Sequence, residues 1–185
     1  MAVDPARAFR AINIALLTVS DTRGPGDDTS GDILAERIRG AGHALISRAI
    51  EKDDVQRICS RLNNWIDDRS VDCVITTGGT GVTGRDVTPE ALERVRQSGE
   101  GKDIPGFGEL FRWQSYQKIA SSTIQSRATG GVAGGTYLFA LPGSPGACRD
   151  GWDGILQYQL DYRFKPCNFV ELLPRLQEHE RRKAS

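Results

Sequence analysis

The segment Thr76-Thr77-Gly78-Gly79-Thr80-Gly81, set directly behind the apolar run Val71-Asp72-Cys73-Val74-Ile75, constrains this chain more than any other feature. Glycine carries no Cβ, so backbone N–H groups approach a ligand closely there and the chain can take φ > 0. Successive N–H groups in such a turn form a nest for anions, and the threonine hydroxyls add donors. Shortly after it comes Asp86-Val87-Thr88-Pro89-Glu90, with Thr88 placed to cap a helix and Pro89 suited to its first turn. Strand, glycine loop and helix start together make a layout that binds phosphate or another anion. The spacing is not Gly-x-Gly-x-x-Gly and no Lys follows as in a Walker A loop, so a merely tight strand-to-helix turn stands as the alternative.

The remaining pattern sets the fold class. Ile12 to Val19 is nearly continuous apolar sequence, as in a strand covered on both faces. Ser20 to Ser30 is a loop rich in turn residues, whose Asp27-Asp28 pair reads as solvated. Ser30 is placed to cap a helix bearing Ile33, Leu34, Ile38 and Ala41, with Gly42 as its stop. Ala44–Ile50 reads as a strand, and Asp53 or Asp54 opens a helix carrying Val55, Ile58, Leu62, Trp65 and Ile66. A third strand, the glycine loop and a helix from Pro89 to Arg96 complete an alternation that predicts an α/β fold with a parallel sheet. Beyond it lie a turn at Gly99–Gly106, loosely helical aromatics from Phe107 to Ile119, a strand at Thr136–Leu141 and a long helix from Ala147 to Leu160. The charged tail from Gln177 to Ser185 is expected to fray. No repeat or linker divides the 185 residues, so one domain is expected over 1–185, with its core at about 12–173.

In open α/β sheets ligands bind beyond the carboxyl ends of the strands. Three such loops converge here if the strands are parallel: Ser20-Asp21, Thr76 to Gly81, and Pro142 to Gly146. Lys+Arg and Asp+Glu balance at 24 each, which gives no electrostatic case for nucleic acid or an anionic membrane. No run approaches the ~18 apolar residues of a membrane span, and Met1 to Arg7 holds no signal-peptide core. Cys59, Cys73, Cys148 and Cys167 are widely spaced, and His43 and His179 are the two histidines. Thiols in a reducing cytoplasm, rather than a zinc site, are expected.

Four ordered motifs carry a resemblance. Thr76–Gly81, Arg85-Asp86-Val87-Thr88-Pro89-Glu90-Ala91, Pro105-Gly106-Phe107-Gly108-Glu109 and Leu141-Pro142-Gly143-Ser144-Pro145 resemble the molybdopterin-binding family of molybdenum cofactor biosynthesis. The match runs from about Ile12 to Leu173. It implies a three-layer α/β/α fold with a mostly parallel central sheet and assembly as a homotrimer or homohexamer. It also implies molybdopterin as ligand, a pterin with a dithiolene and a terminal phosphate. In catalytic members Mg-ATP adenylylates that phosphate, and other proteins of the pathway are possible partners.

By this resemblance Thr76, Thr77, Gly78, Gly79, Thr80, Gly81, Ser126, Pro142, Gly143 and Ser144 hold molybdopterin. Asp86 and Asp53 match acidic positions of the adenylylating members and would be catalytic and ligate Mg²⁺, while Ser20, Asp21 and Glu109 match residues lining the nucleotide side. Several negative charges meet in adenylyl transfer, so a cation and backbone donors suit the task, and Mg²⁺ usually takes one or two carboxylates besides substrate phosphates. Asp53 could equally be the helix cap, and Glu109 a helix-start charge. Phe111, Trp113 and Trp152 read as core or subunit interface. Lys52 stands where catalytic members often have proline, which keeps a non-catalytic molybdopterin carrier open beside the adenylyltransferase.

Overall fold

The computed structural model describes residues 3–98 and 101–178. Gly99 and Glu100 of the expected turn, His179, the tail beyond Glu178, and Met1 with Ala2 lie outside the described residues. Six strands form one sheet: β1 (Asn13–Val19), β2 (Ala44–Glu51), β3 (Cys73–Thr77), β4 (Lys102–Asp103), β5 (Thr129–Ala133) and β6 (Thr136–Leu141). Their order is β2-β1-β3-β6-β5-β4. β2, β1, β3 and β6 are mutually parallel. β5 and β4 add an antiparallel edge through the hairpin to β6.

Alternation along the strands splits the core in two. Ile14 and Leu16 of β1, Ile75 of β3 and Phe139 of β6 face one side; Ala15, Leu17, Val74, Leu138 and Ala140 face the other. The first side is covered by α1 (Thr29–Gly40), α4 (Pro105–Ile119) and α5 (Pro145–Gly151), through Leu34, Ile38, Phe107, Phe111 and Cys148. The second is covered by α2 (Val55–Asp67) and α3 (Thr88–Ser98), through Ile58, Leu62, Leu92 and Val95. Burial on both faces is why the central strands read as unbroken apolar runs. The result is the expected three layers.

Several local expectations are corrected. α1 is capped by Asp28, whose carboxylate accepts from Gly31 N (3.0 Å), and not by Ser30, which lies inside the helix. Asp28 is fully buried rather than solvated: it accepts from Thr18 Oγ1 (2.7 Å) and is paired with Arg48 (2.7 Å). Thr88 is the first residue of α3, one position inside the expected cap, and its hydroxyl donates to the Gly78 carbonyl (2.8 Å). The expected turn through Gly106 contains β4, and α4 starts at Pro105. The helix expected to Leu160 begins at Pro145, capped by Ser144, and passes through a π turn at Trp152–Leu156 into α6 (Gln157–Gln159). β5 and a last short helix, α7 (Phe169–Leu172), were not expected from sequence. Among the described residues no helix is long and apolar enough to cross a membrane.

Candidate functional site

A cavity of about 510 Å³ opens at the carboxyl ends of β1, β3 and β6. Its floor is the glycine loop. Gly78 (φ 100°) and Gly79 (φ 62°) take conformations an L side chain rarely adopts. A Cβ on Gly78 would collide with the Val19 carbonyl, and one on Gly79 would lie 2.7 Å from an Asp53 carboxylate oxygen. The loop is anchored by Gly78 N–H to Leu141 O (3.0 Å) and by Thr88 N–H to Gly79 O (3.0 Å). The loop after β6 abuts it, since a Cβ on Gly143 would lie 3.1 Å from Gly78 Cα.

Ser20, Asp53, Gly78, Gly79, Thr80, Gly81, Asp86, Ser126, Pro142, Gly143 and Ser144 all line this cavity. Three of its serines are arranged alike. Ser20 Oγ accepts from the N–H of Thr22 (3.3 Å) and Arg23 (3.2 Å), Ser126 Oγ from Ala128 N (3.3 Å), and Ser144 Oγ from Ala147 N (3.2 Å). Each hydroxyl is oriented through its oxygen and keeps its own proton to donate. Phe111, Ile119 and Val19 supply an apolar wall.

Thr76, Thr77, Asp21 and Glu109 are not brought to this cavity. Thr76 Oγ1 donates to Phe139 O (3.4 Å), and Thr77 Oγ1 donates to Pro142 O (3.0 Å), so both threonines brace the loop from within the sheet. Glu109 is exposed on α4. Asp21 lines a second cavity of about 550 Å³, which adjoins the first and shares Ser20 and Arg23 with it. Arg23, Arg48, Lys52 and Arg57 line that second cavity together with Asp21 and Glu51, and Arg48 is paired with Asp28 and Asp32.

The carboxylates are held differently. Asp54 caps α2 by accepting from Arg57 N (2.9 Å), which frees Asp53 to face the cavity. Burial, and then the charges of Asp21 and Asp86, push the Asp53 carboxyl above its ordinary value, with Arg85 opposing. For Asp86 burial also acts upward, but the hydroxyl and N–H of Thr83, the Gly81 N–H and the charge of Arg127 hold the carboxyl below its ordinary value. Asp21 is ion-paired with Arg85, which holds its carboxyl low as well. Among the described residues no group of three or more His, Cys, Asp or Glu is arranged to hold a metal ion by itself. Asp53 and Asp86 together offer the one or two carboxylates that Mg²⁺ takes when substrate phosphates complete its shell. Asp53, offset by Arg85 and the Asp21 N–H alone, fits a cation.

Sequence reasoning missed Arg23, Arg85, Thr83 and Arg127. Arg127 donates from Nε to Gly81 O (2.6 Å) and from Nη2 to Asp86 O (2.7 Å), and pairs with Glu90. One guanidinium thus ties both ends of the Gly81–Asp86 loop. Arg85 lies inside a motif already singled out and Thr83 between that motif and the glycine loop, so their position was the available signal.

The family model described as probable molybdopterin binding domain matches residues 15–162. Molybdenum cofactor biosynthesis protein B of Escherichia coli K12 is 45% identical over 161 residues, covering 87% of this chain and 92% of that protein. The protein of the same name from Bacillus subtilis is 39% identical over 139 residues, covering 75% of this chain and 79% of that protein. A crystal structure of molybdenum cofactor biosynthesis protein B superposes with a TM-score of 0.81 at 36% identity, over 93% of this chain and 99% of that one. The tungsten cofactor synthesizing protein MoaB from Pyrococcus furiosus superposes with a TM-score of 0.75 at 29% identity, over 92% of this chain and 99% of that one. The chain therefore belongs to the molybdopterin-binding domain family, the family of the molybdenum cofactor biosynthesis B proteins.

Proposed function

We propose that this protein works in molybdenum cofactor biosynthesis, binding molybdopterin in the first cavity and adenylylating its terminal phosphate with Mg-ATP. The family and its named relatives support the pathway and the ligand. The observation that carries the reading is the donor set around one cavity: a positive-φ glycine loop, three serines with protons to give, and two carboxylates. A cavity of about 510 Å³ is ample for a pterin with its side chain, and Phe111 and Ile119 give a flat ring an apolar face. The adjoining cavity, with Arg23, Lys52 and Arg57, suits a polyphosphate.

Adenylyl transfer joins a phosphate oxygen of molybdopterin to the α-phosphorus of ATP. The bond from that phosphorus to the bridging oxygen breaks, and pyrophosphate leaves with the electron pair. Gly79 and Thr80 N–H groups are the loop donors left for phosphate oxygens, because Leu141 O takes Gly78 N–H and Asp86 takes Gly81 N–H. Ser20, Ser126 and Ser144 orient the ligands by donating. Asp86 stays ionised and fixed by Thr83, while Asp53 faces it across the glycine loop. Mg²⁺ bound between these carboxylates and the phosphates would neutralise charge that otherwise repels the attacking oxygen.

The test is a single-turnover assay with molybdopterin, Mg²⁺ and α-labelled ATP, comparing the wild type with Asp86→Asn. Labelled adenylylated product from the wild type, lost about 10³-fold in the variant, is expected. Molybdopterin binding without product in either protein would leave a carrier.

The family resemblance also implies a homo-oligomer. Leu110, Trp113, Tyr116 and Ile119 recur every third residue along α4 as an exposed apolar strip that winds half way round the helix, from Trp113 at 62% exposure to Ile119 at the rim of the first cavity, and Ile124 in the following turn is 82% exposed. An apolar strip of that kind marks an interaction surface. Sedimentation should find a trimer or hexamer that Trp113→Asp dissociates; an unchanged monomer in the wild type would remove the assignment.

A further inference from the structure

Arg23 stands in the wall between the two cavities and lines both. Its guanidinium is seated through one nitrogen, Nη1, which donates to the Gly143 carbonyl (3.2 Å) and to the Ser30 hydroxyl oxygen (3.1 Å). Ser30 is fully buried and itself donates to Gly143 O (2.7 Å), so the seat joins α1 to the loop after β6. Both acceptors are neutral. Nearby carboxylates are turned to other partners, Asp21 to Arg85, Asp28 to Arg48, Glu51 to Arg61 and Asp27 to the Gly24 N–H, and Asp53, which lines the first cavity with Arg23, makes no ion pair with it. Among the described residues Arg23 has no ion-pair partner, and its Nε and Nη2 donate no hydrogen bond. A half-buried cation oriented by neutral groups, with donors to spare, is unbalanced without an anion.

We propose that Arg23 is a phosphate anchor shared by the ligands of the two cavities. The inference rests on the reading above and adds to it: the phosphate of the first ligand and the phosphoanhydride of the second meet at this one guanidinium. Its planar fork suits two phosphate oxygens at once, which an ammonium does not reproduce. Anchoring at the junction sets the two reacting groups side by side.

Calorimetric titration of the full chain with inorganic pyrophosphate, ATP without Mg²⁺, and molybdopterin, each separately, tests this. Arg23→Gln should weaken all three by about tenfold or more while the melting temperature and circular dichroism hold. Arg23→Lys should recover only part of the loss, and Ser30→Ala, which keeps the charge but loosens its seat, should weaken the same three ligands less than Arg23→Gln does. Weakening of ATP and pyrophosphate alone, or of molybdopterin alone, would assign Arg23 to one cavity and overturn the shared anchor. So would equal affinities in wild type and variant, or a wild type that binds no phosphate ligand. A wild type that binds both ligands through Arg23 yet forms no adenylylated product would break the reaction reading and leave the shared anchor intact.

Discussion

Asp86 and Asp53 line one cavity beside the glycine loop, Asp53 against Gly79 and Asp86 against Gly81, and their surroundings treat them in opposite ways. On the glycine-loop side Asp86 is over-provided: Thr83 gives it a hydroxyl and an N–H, Gly81 an N–H, and Arg127 a nearby positive charge. On the β2–α2 side Asp53 is under-provided: burial and then the charges of Asp21 and Asp86 raise its pKa, and Arg85 and one N–H oppose them. A pair of carboxyls pushed apart in this way commonly divides roles. Asp86 is built as a permanent, immobile anion. Asp53 is built to welcome a proton or a cation, and its environment improves when a ligand brings positive charge.

The largest effect expected from breaking this contrast is at Asp86 itself, the ~10³-fold loss of adenylylated product in Asp86→Asn. A smaller effect sharpens it. Arg127→Gln removes the guanidinium that ties Gly81 O to Asp86 O and leaves those carbonyls and Glu90 without it. Stability should fall by about 1–3 kcal/mol, the usual cost of unmade hydrogen bonds to partly buried groups. Asp86 should lose part of what holds its pKa down, so carboxyl NMR should find it titrating at higher pH than in the wild type. If Asp86 titrates unchanged while the protein melts earlier, Arg127 is structural support alone and Asp86 owes its low pKa to Thr83 and Gly81.

The parallel half of this molecule was legible in sequence for physical reasons. β1 and β3 are buried on both faces and must be continuously apolar, and the loop after β3 needs φ > 0 at Gly78 and Gly79, which is what glycine announces. The antiparallel edge was not. β5 is Thr-Gly-Gly-Val-Ala, which resembles a turn. Its glycines serve packing instead: a Cβ on Gly130 would lie 2.9 Å from the Phe139 ring, and one on Gly131 would lie 2.8 Å from Lys102 O. Because β5 runs against β6, with Thr129 opposite Ala140, its beginning arrives at the rim where the parallel strands end. That reversal delivers Ser126 and Arg127 to the site, and no rule about carboxyl ends of strands would place them there. Serine favours the cap position, but Asp28 caps α1 and also pairs with Arg48 and accepts from the Thr18 hydroxyl. Ser30 was thereby left to hold Gly143 and Arg23.

The smallest expected effect tests the other side of the contrast through its sign. Asp53 has a raised pKa in the folded protein, so its ionisation above the ordinary carboxylate value near 3.9 works against the fold. Asp53→Asn removes that repulsion from Asp21 and Asp86. Without ligand the variant should be the more stable protein at pH 7, by up to about 1 kcal/mol, with part of the gain offset by the hydrogen bond from the Asp21 N–H. The gain should shrink as pH falls through the raised pKa of folded Asp53 towards the ordinary carboxylate value near 3.9, below which the two proteins converge. Asp86→Asn should do the reverse: a stability deficit present at pH 7 that disappears on acidification through the low pKa of Asp86. Thermal melts of the three proteins from pH 3 to pH 8 measure both curves. Curves of the same sign would mean that Asp53 and Asp86 are held alike and that the division of roles between them is absent. Opposite signs, together with weaker Mg²⁺-dependent ATP binding in Asp53→Asn, would mark Asp53 as a residue that costs stability in the free protein because its charge is needed when the ligands arrive.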